Sequence, residues 1–283
     1  MPESPGTESN QLPAVTSRVD RLDPSPIERY EIVHPAVPES LDGLRVLHIA
    51  DQHVRRKRGE HSVLARTLEA VSRVEVDIAV ITGDLMGDPG TEGLALEWLK
   101  ELVSCWRVRL GAFGVFGNHD TREMIRAVGA IDQICWLDNE SASLETDGGR
   151  IRIVGASDPE DLLGARLGDG GDEPALTLGL VHYPSEIVAG STLEIPIIFA
   201  GHTHGGQVRL TPGISPHTSS DMPSHLAAGV LRLGQTLCCV SRGLGEALVE
   251  VRVNCKPHAP LYVLRRGELP AGDEDRVVRV LAW

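Results

Sequence analysis

Short apolar runs alternate with helix-type periodicity through the first half of the chain. Runs typical of strands buried on both faces lie at residues 44–51, 77–84 and 111–120. Stretches in which apolar residues recur about every three to four positions lie at residues 62–74, 91–106 and 121–129. This alternation of strand and helix predicts an α/β sheet with helical crossovers.

The second half of the chain changes to a mainly β pattern. Apolar, strand-like segments with short connections lie at residues 150–158, 175–184, 195–202, 236–243 and 261–266. The sequence contains no internal repeat and no linker that would divide it, so we predict one domain over residues 27–283. Residues 1–26 are rich in Pro, Ser and Glu, which predicts a disordered N-terminal tail.

Polar side chains cluster where the predicted strands end. They are Asp51, His53, Asp84, Asn118, His119, His182, His202 and His204. In open α/β folds, ligands bind at the carboxyl ends of the strands. Asp51 and His53 are two residues apart, so an extended backbone is expected to place both on one side. The same expectation holds for His202 and His204.

The chemistry of this set points to metal. Without His119, it offers two carboxylates, one carboxamide and four imidazoles, and no thiolate. Such oxygen and nitrogen donors suit manganese, iron or zinc, and seven donors are too many for one tetrahedral zinc. They suit two ions that share a carboxylate. Two divalent ions, two carboxylates and a bridging hydroxide leave a charge of about +1, which attracts an anionic phosphate.

Each motif has another explanation when it stands alone. Asp-x-His and Asn-His-Asp sequences also form surface turns, and His182 before Tyr-Pro also suits a buried histidine with satisfied hydrogen bonds. The glycine-rich stretch at 199–210 fits either a turn or a metal site. If none of the motifs had a function, five independent coincidences at successive strand ends would be needed. The whole set therefore favours a metal site.

In chain order, the motifs resemble those of the calcineurin-like metallophosphoesterases. They are Asp51-x-His53, Gly83-Asp84, Gly117-Asn118-His119-Asp120, His182 and Gly201-His202-Thr203-His204. The resemblance spans roughly residues 44–253 and implies a four-layer sandwich, with two facing mixed β-sheets flanked by helices. GHTHGGQ, followed by SRGLG (241–245) and RVNCKP (252–257), is also similar to a bacterial phosphodiesterase branch related to enzymes that cleave UDP-diacylglucosamine.

The resemblance implies a role for each residue. One metal ion is expected to be bound by Asp51, His53 and His204. The other is expected to be bound by Asn118, His182 and His202, with Asp84 bridging both. His119 is expected to lie beside the phosphate, stabilise developing charge and protonate the leaving oxygen. We expect two manganese ions, with iron or zinc as alternatives.

The sequence departs from the family pattern next to the bridging carboxylate. The family usually reads GDxxD, and its second Asp supports the catalytic histidine. Here that position is Gly87, followed by Asp88. Three alternatives stay open: Asp88 takes the role, Asp120 replaces it, or His119 is less well oriented. Gln52 stands where this branch commonly has leucine, and we expect it to point away from the ligands on either side.

We therefore expect a metal-dependent phosphoric ester hydrolase. It would cleave a phosphodiester or pyrophosphate bond through attack of a metal-bound hydroxide at phosphorus, with His119 as general acid. A phosphomonoesterase is the alternative enzyme, and a catalytically inactive metal-binding scaffold is the alternative from another class. The substrate is expected to be a small-molecule phosphate ester or a lipid headgroup, selected by loops at residues 157–174 and 211–228.

Composition and charge limit the cellular locations and the binding partners that we expect for this protein. The formal net charge of −13 disfavours nucleic acid as a partner. Five cysteines without a CxxC spacing indicate reduced thiols. The sequence lacks a signal-peptide pattern and a long apolar run, so we expect a cytoplasmic protein, with peripheral membrane contact still open. The basic stretch at residues 55–60 fits a solvated surface loop, or alternatively a loop that steers phosphate.

Overall fold

The computed structural model describes residues 25–56, 58–157, 162–165, 173–210, 215–216, 218, 220, 222–247 and 250–283. For residues 58–62 it describes the backbone alone. Residues 1–24, which hold most of the predicted tail, lie outside these ranges. So do most of residues 157–174 and many of residues 211–228, the two predicted specificity loops.

Thirteen strands and four α-helices are present in the described residues. The strands are β1 Ile27–His34, β2 Arg45–Ile49, β3 Glu75–Thr82, β4 Arg107–Val115, β5 Cys135–Trp136, β6 Glu140–Leu144, β7 Ile151–Ala156, β8 Leu176–Val181, β9 Ile197–Ala200, β10 Gly229–Leu233, β11 Thr236–Val240, β12 Ala259–Arg266 and β13 Val278–Leu281. The helices are α1 Arg58–Val71, α2 Glu92–Cys105, α3 Arg122–Val128 and α4 Ile187–Thr192.

The strands form two mixed sheets, as predicted. The first has six strands in the order β1-β12-β2-β3-β4-β5, and the second has seven in the order β13-β10-β11-β9-β8-β7-β6. In the first sheet, β2, β3, β4 and β5 run parallel and β12 pairs antiparallel with β2. In the second, β7, β8, β9 and β11 run parallel. The parallel strands of each sheet therefore end at a common edge.

Apolar side chains fill three layers around the two sheets. Val80 on β3 and Leu180 on β8 belong to the cluster between the sheets. The next residue on β3, Ile81, faces the other way and packs in a second cluster with Leu99 of α2. Ile198 on β9 belongs to the third cluster and contacts α4. Because side chains alternate along each strand, both faces of both sheets are covered. The resulting helix–sheet–sheet–helix order confirms the predicted sandwich.

The structure corrects two details of the sequence interpretation. Helix α1 begins at Arg58, so the basic stretch at residues 55–60 is only partly a loop. Strands β5, β6, β10 and β13 were not predicted. Strands β6 and β13 lie at sheet edges and are half-exposed, so their sequences lack the continuous apolar run of a central strand. Among the described helices, none has the length and apolar character needed to cross a membrane.

Candidate metal centre

The polar motifs follow strands β2, β3, β4, β8 and β9, and the structure brings them together. The amide nitrogen of Asp51 donates to the carbonyl of Gly83, which joins the ends of β2 and β3. The amide of Gly201 donates to the carbonyl of His182, which joins the ends of β9 and β8. The amide of His202 donates to the Asp51 carboxylate, Oδ1, at 2.8 Å. This last bond crosses from one sheet to the other, so both sheets contribute to one site.

The backbone at this site is left-handed, not extended. Five of the seven predicted ligands have positive φ: Asp51 (50°), His53 (42°), Asp84 (55°), His202 (69°) and His204 (51°). The extended geometry expected for the two pairs is therefore wrong, because the chain turns sharply as soon as each strand ends. Left-handed backbone conformations are unfavourable for residues other than glycine, and they concentrate at functional sites.

One group of donors consists of four buried side chains. Asp51, His53, Asp84 and His204 each offer one ligand atom within 4.8 Å of the others. The Nε2 atoms of His53 and His204 lie 2.9 Å apart, and His53 Nε2 lies 3.3 Å from Asp84 Oδ2. Asp51 Oδ2 is buried without a hydrogen-bond partner among the described residues. The four side chains therefore converge on one small volume.

A second group adjoins the first and shares Asp84 with it. Asp84, His182 and His202 offer ligand atoms within 4.8 Å of one another. Asp84 Oδ2 lies 3.4 Å from His182 Nε2. Asn118 belongs to this group by distance, since its Oδ1 lies 3.1 Å from both His182 Nε2 and His202 Nδ1. The structure thus brings the seven candidate ligands together as two adjoining groups of side chains that share Asp84.

The spacing of the donor atoms fits divalent cations. Ligands about 2.0–2.1 Å from one ion lie about 2.9–3.4 Å from each other in octahedral or tetrahedral geometry. The separations of 2.9 Å between His53 and His204, and of 3.3 Å between His53 and Asp84, fall in this range. The facing imidazole nitrogens and the orphaned Asp51 oxygen are polar atoms that a cation would satisfy. The buried Asp/His cluster therefore fits a pair of divalent metal ions.

Burial and mutual charge perturb the titration of these groups. Burial raises the pKa of Asp51 to about 7, against the opposing charge of His182. For Asp84, burial is outweighed by the charge and hydrogen bonds of His182 and His53, so its pKa stays well below the usual value. For His182, burial is outweighed by the Asp84 and Asp51 carboxylates, which raise its pKa to about 9. Burial holds the pKa of His204 well below its usual value. Within the cluster, the pKa values of the two carboxylates are therefore shifted in opposite directions, and so are those of His182 and His204.

His119 lies beside the two donor groups and is a member of neither. Its amide nitrogen donates to Asp84 Oδ1 at 2.9 Å. Its ring meets that of His53 edge-on, with centroids 4.8 Å apart. The side chain is half-buried, unlike the fully buried His53. His119 is therefore placed at the margin of the cluster, where a substrate can reach it.

The two carboxylates considered as partners of His119 are engaged elsewhere. Asp120 accepts backbone hydrogen bonds from Asp84, Leu85 and Gly117 at 2.8–2.9 Å. Asp120 therefore holds the ends of β3 and β4 together. Asp88 is largely exposed and pairs with Arg55, whose Nε lies 3.3 Å from Asp88 Oδ2. In the described part of the chain, neither carboxylate lies within hydrogen-bond distance of the His119 ring.

Sequence reasoning missed the groups that orient the histidine rings. The carbonyl of Thr82 lies 2.7 Å from His182 Nδ1. The carbonyl of Gly245 lies 3.3 Å from His204 Nδ1. Partners of this kind fix the ring and tautomer of a metal-binding histidine. Every residue has a backbone carbonyl, so residue type does not reveal which carbonyls orient a histidine. The only sequence signal was that Gly245 lies in the SRGLG motif.

Comparison with known proteins decides the family. A sequence model described as calcineurin-like phosphoesterase matches residues 44–206. The chain belongs to the calcineurin-like phosphoesterase family. The members of this family are generally phosphoric ester hydrolases that bind two divalent metal ions, and the buried Asp/His cluster follows the ends of strands covered by the match.

Family relatives match most of this chain. It is 25% identical over 261 residues to an uncharacterized metallophosphoesterase, YkuE, of Bacillus subtilis, covering 86% of this chain and 87% of the relative. It is 24% identical over 239 residues to phosphodiesterase YaeI of Escherichia coli, covering 78% and 82%. A transmembrane protein with metallophosphoesterase domain from Danio rerio is 29% identical over 217 residues, which cover 69% of this chain and 48% of that protein. Among solved structures, TT1561 of Thermus thermophilus is similar, at 12% identity and a TM-score of 0.47, over 71% of this chain and 90% of that one.

Proposed function

We propose that this chain is a phosphodiesterase or pyrophosphatase whose reaction depends on two divalent cations. The observation that carries the proposal is that Asp84 belongs to both donor groups. A shared carboxylate places two cations next to each other, and adjacent cations suit in-line displacement at phosphorus. The name of the relative YaeI, a phosphodiesterase, supports the diester class.

Each donor group would hold one cation. The first site would consist of Asp51, His53, Asp84 and His204. The second would consist of Asp84, Asn118, His182 and His202. When bound, the two cations would lower the pKa of a water molecule and polarise the phosphoryl oxygens. Manganese is proposed, and iron and zinc are the alternatives that the same donors accept.

Backbone and side-chain groups around the cluster would perform the remaining steps. Thr82 and Gly245 orient His182 and His204 through their carbonyls. Asn118 is a neutral donor, so it leaves the site more positive than a third carboxylate would, and this favours an anionic phosphate. His119, at the margin of the cluster, would stabilise developing charge and give its proton to the leaving oxygen.

The substrate class follows from the same chemistry. A centre with residual positive charge favours a phosphate ester or pyrophosphate, either of a small molecule or of a lipid headgroup. GHTHGGQ, SRGLG and RVNCKP resemble a bacterial phosphodiesterase branch related to enzymes that cleave UDP-diacylglucosamine, and this resemblance supports a nucleotide-sugar lipid as one member of that class. We also propose that the described domain acts in the cytoplasm and that any membrane contact is peripheral.

The test is a hydrolysis panel on protein reconstituted with Mn²⁺. It should include a chromogenic phosphodiester, nucleotide-sugar lipids, glycerophosphodiesters, cyclic nucleotides and phosphomonoesters. We expect diester or pyrophosphate cleavage that EDTA abolishes and Mn²⁺ restores. Faster cleavage of monoesters would replace the proposal with a phosphatase, and a metal-loaded protein inactive on the whole panel would indicate a scaffold.

A substitution of His119 and a control substitution test the role of this residue. His119→Ala should bind as much Mn²⁺ as wild type but lose at least about 100-fold in kcat, as expected for a general acid. Glu101→Ala is the control, because Glu101 is an exposed residue of helix α2 that lies outside both donor groups and outside the predicted specificity loops. Equal activity of His119→Ala and wild type would remove His119 from the mechanism while leaving the metal centre in place.

A further inference from the structure

Arg252 is an arginine whose partners are backbone carbonyls. Its Nη2 donates to the carbonyl of Arg242 at 2.9 Å and to that of Gly243 at 3.3 Å, and it also contacts the carbonyl of Gly245. Its Nη1 lies 3.5 Å from the carbonyls of His204 and Cys255. It forms no salt bridge with a carboxylate in the part of the chain that the structure describes. An arginine in such surroundings acts as a multiple hydrogen-bond donor, not as half of an ion pair.

In the segment at residues 251–253, the charged side chain points inward and the two apolar side chains point towards solvent. Val251 and Val253 are 53% and 41% exposed, whereas the Nε of Arg252, between them, is fully buried. Burying a guanidinium while exposing two valines is unfavourable for packing. Stability of the segment alone therefore does not explain the arrangement, and a role for the inward arginine does.

Apart from the carbonyl of Cys255, the carbonyls that Arg252 contacts belong to two parts of the candidate metal centre. One is His204 itself, whose Nδ1 lies 3.4 Å from Nη2 of Arg252. The other is the loop at residues 242–245, which lies against Asp51. In that loop, the amide of Gly245 donates to the carbonyl of Asp51 at 2.7 Å. A β-carbon on Gly243 would lie 2.7 Å from Asp51 Oδ2, so the loop backbone touches the carboxylate directly.

We propose that Arg252 is a positioning residue for one cation site: it holds His204 and the 242–245 loop together and so sets the Asp51–His53–His204 donor group. Its contacts with described residues do not include Asn118, His182 or His202, so the second donor group does not depend on it. The inference rests on the proposed function, in that it assumes two cation sites. It also gives a shared structural role to the SRGLG and RVNCKP motifs.

The expected effect is selective loss of one cation. Removing a group that orients a metal ligand typically weakens metal affinity roughly 10–100-fold. Arg252→Met, which keeps a long apolar stem, should weaken one Mn²⁺ site by about 100-fold and leave the other unchanged. Arg252→Lys keeps the charge but cannot reach several carbonyls at once, so it should weaken the same site by about 10-fold.

The experiment is Mn²⁺ titration of the full chain by calorimetry, with bound metal counted after gel filtration. Circular dichroism in EDTA checks that each variant is folded. Arg232→Met is the control, because Arg232 is buried, donates to the carbonyls of Gly234 and Pro270 and pairs with Glu274, and none of these partners belongs to either donor group. It should keep both ions with wild-type affinities.

Double variants identify the site that is lost. Adding His53→Ala to Arg252→Met should change the remaining ion little, whereas adding His182→Ala should remove it. Two wild-type affinities in both Arg252 variants, or equal weakening of both sites in a folded variant, would overturn the inference. If Arg252→Met fails to fold, Arg252→Lys decides by the same criteria. A wild-type protein that binds no Mn²⁺, Fe²⁺ or Zn²⁺ would instead overturn the proposed function, and the inference with it.

Discussion

The side chain of Arg55 lies directly over Gly87. A β-carbon on Gly87 would lie 2.3 Å from Arg55 Nε and 2.5 Å from its Cγ, which is closer than such atoms approach. From this position Arg55 pairs with Asp88 and donates to the carbonyl of Ala247 at 2.8 Å. Gly87 is thus the residue that makes room for an arginine joining three loops beside His53. This accounts in physical terms for a glycine at the position where the family usually has a second aspartate.

Gly87→Ala should displace Arg55 and destabilise the fold. The lost hydrogen bond to Ala247 is worth about 1 kcal/mol, and the loss should appear as a lower midpoint in urea unfolding. If the cause is this contact, the double variant Arg55→Ala/Gly87→Ala should be destabilised by less than the sum of the two single variants. Gly93→Ala is the control. A β-carbon at Gly93 would meet nothing within 4 Å, and the substitution replaces a glycine of helix α2. Additive effects of the two substitutions would contradict the proposed contact.

Gln52→Leu should stabilise the protein. Gln52 is fully buried, and neither its amide oxygen nor its amide nitrogen has a hydrogen-bond partner among the described residues. Because leaving buried polar atoms unpaired costs about 1–3 kcal/mol, an apolar residue of similar size should raise the free energy of unfolding by about that amount.

Urea unfolding in the presence of EDTA measures this effect without the contribution of metal. Gln52→Ala is the informative comparison: it also removes the amide, but it leaves a cavity that offsets the gain. A less stable Gln52→Leu would show that the amide is satisfied, for example by an internal water molecule.

Asp84→Asn should have a larger effect on metal binding than any other ligand substitution. Asp84 is the member that both donor groups share, whereas Asp51 belongs to one of them. We therefore expect Asp84→Asn to weaken both cations and Asp51→Asn to weaken one. For wild type, each Mn²⁺ at about 100 times its Kd should raise the free energy of unfolding by about 2.7 kcal/mol.

Thermal unfolding with Mn²⁺ and with EDTA reports this difference. The stabilisation by Mn²⁺ should be nearly abolished in Asp84→Asn and about halved in Asp51→Asn. Asp132→Asn, at an exposed aspartate of the loop after α3, should keep the full wild-type stabilisation. Equal losses in the Asp51 and Asp84 variants would argue against a carboxylate shared by two ions.

The sequence by itself determined the class of fold and the candidate donors. Continuous apolar runs such as residues 77–84 identify central parallel strands, because burial on both faces requires them. Parallel strands end at a common edge, so polar motifs such as Asp51-x-His53 could be expected to meet there. Edge strands such as β13 escaped detection, since one exposed face removes the continuous apolar signal.

Tertiary structure alone decided how the donors meet. The left-handed backbone of Asp51 occurs where its amide donates to Gly83, between the ends of two strands far apart in the chain, and local propensity does not contain such a contact. The same holds for contacts between distant residues: Arg252 with the carbonyl of His204, and Arg55 with Gly87. A sequence shows which side chains are available, but long-range packing sets the distances of about 3 Å on which coordination depends.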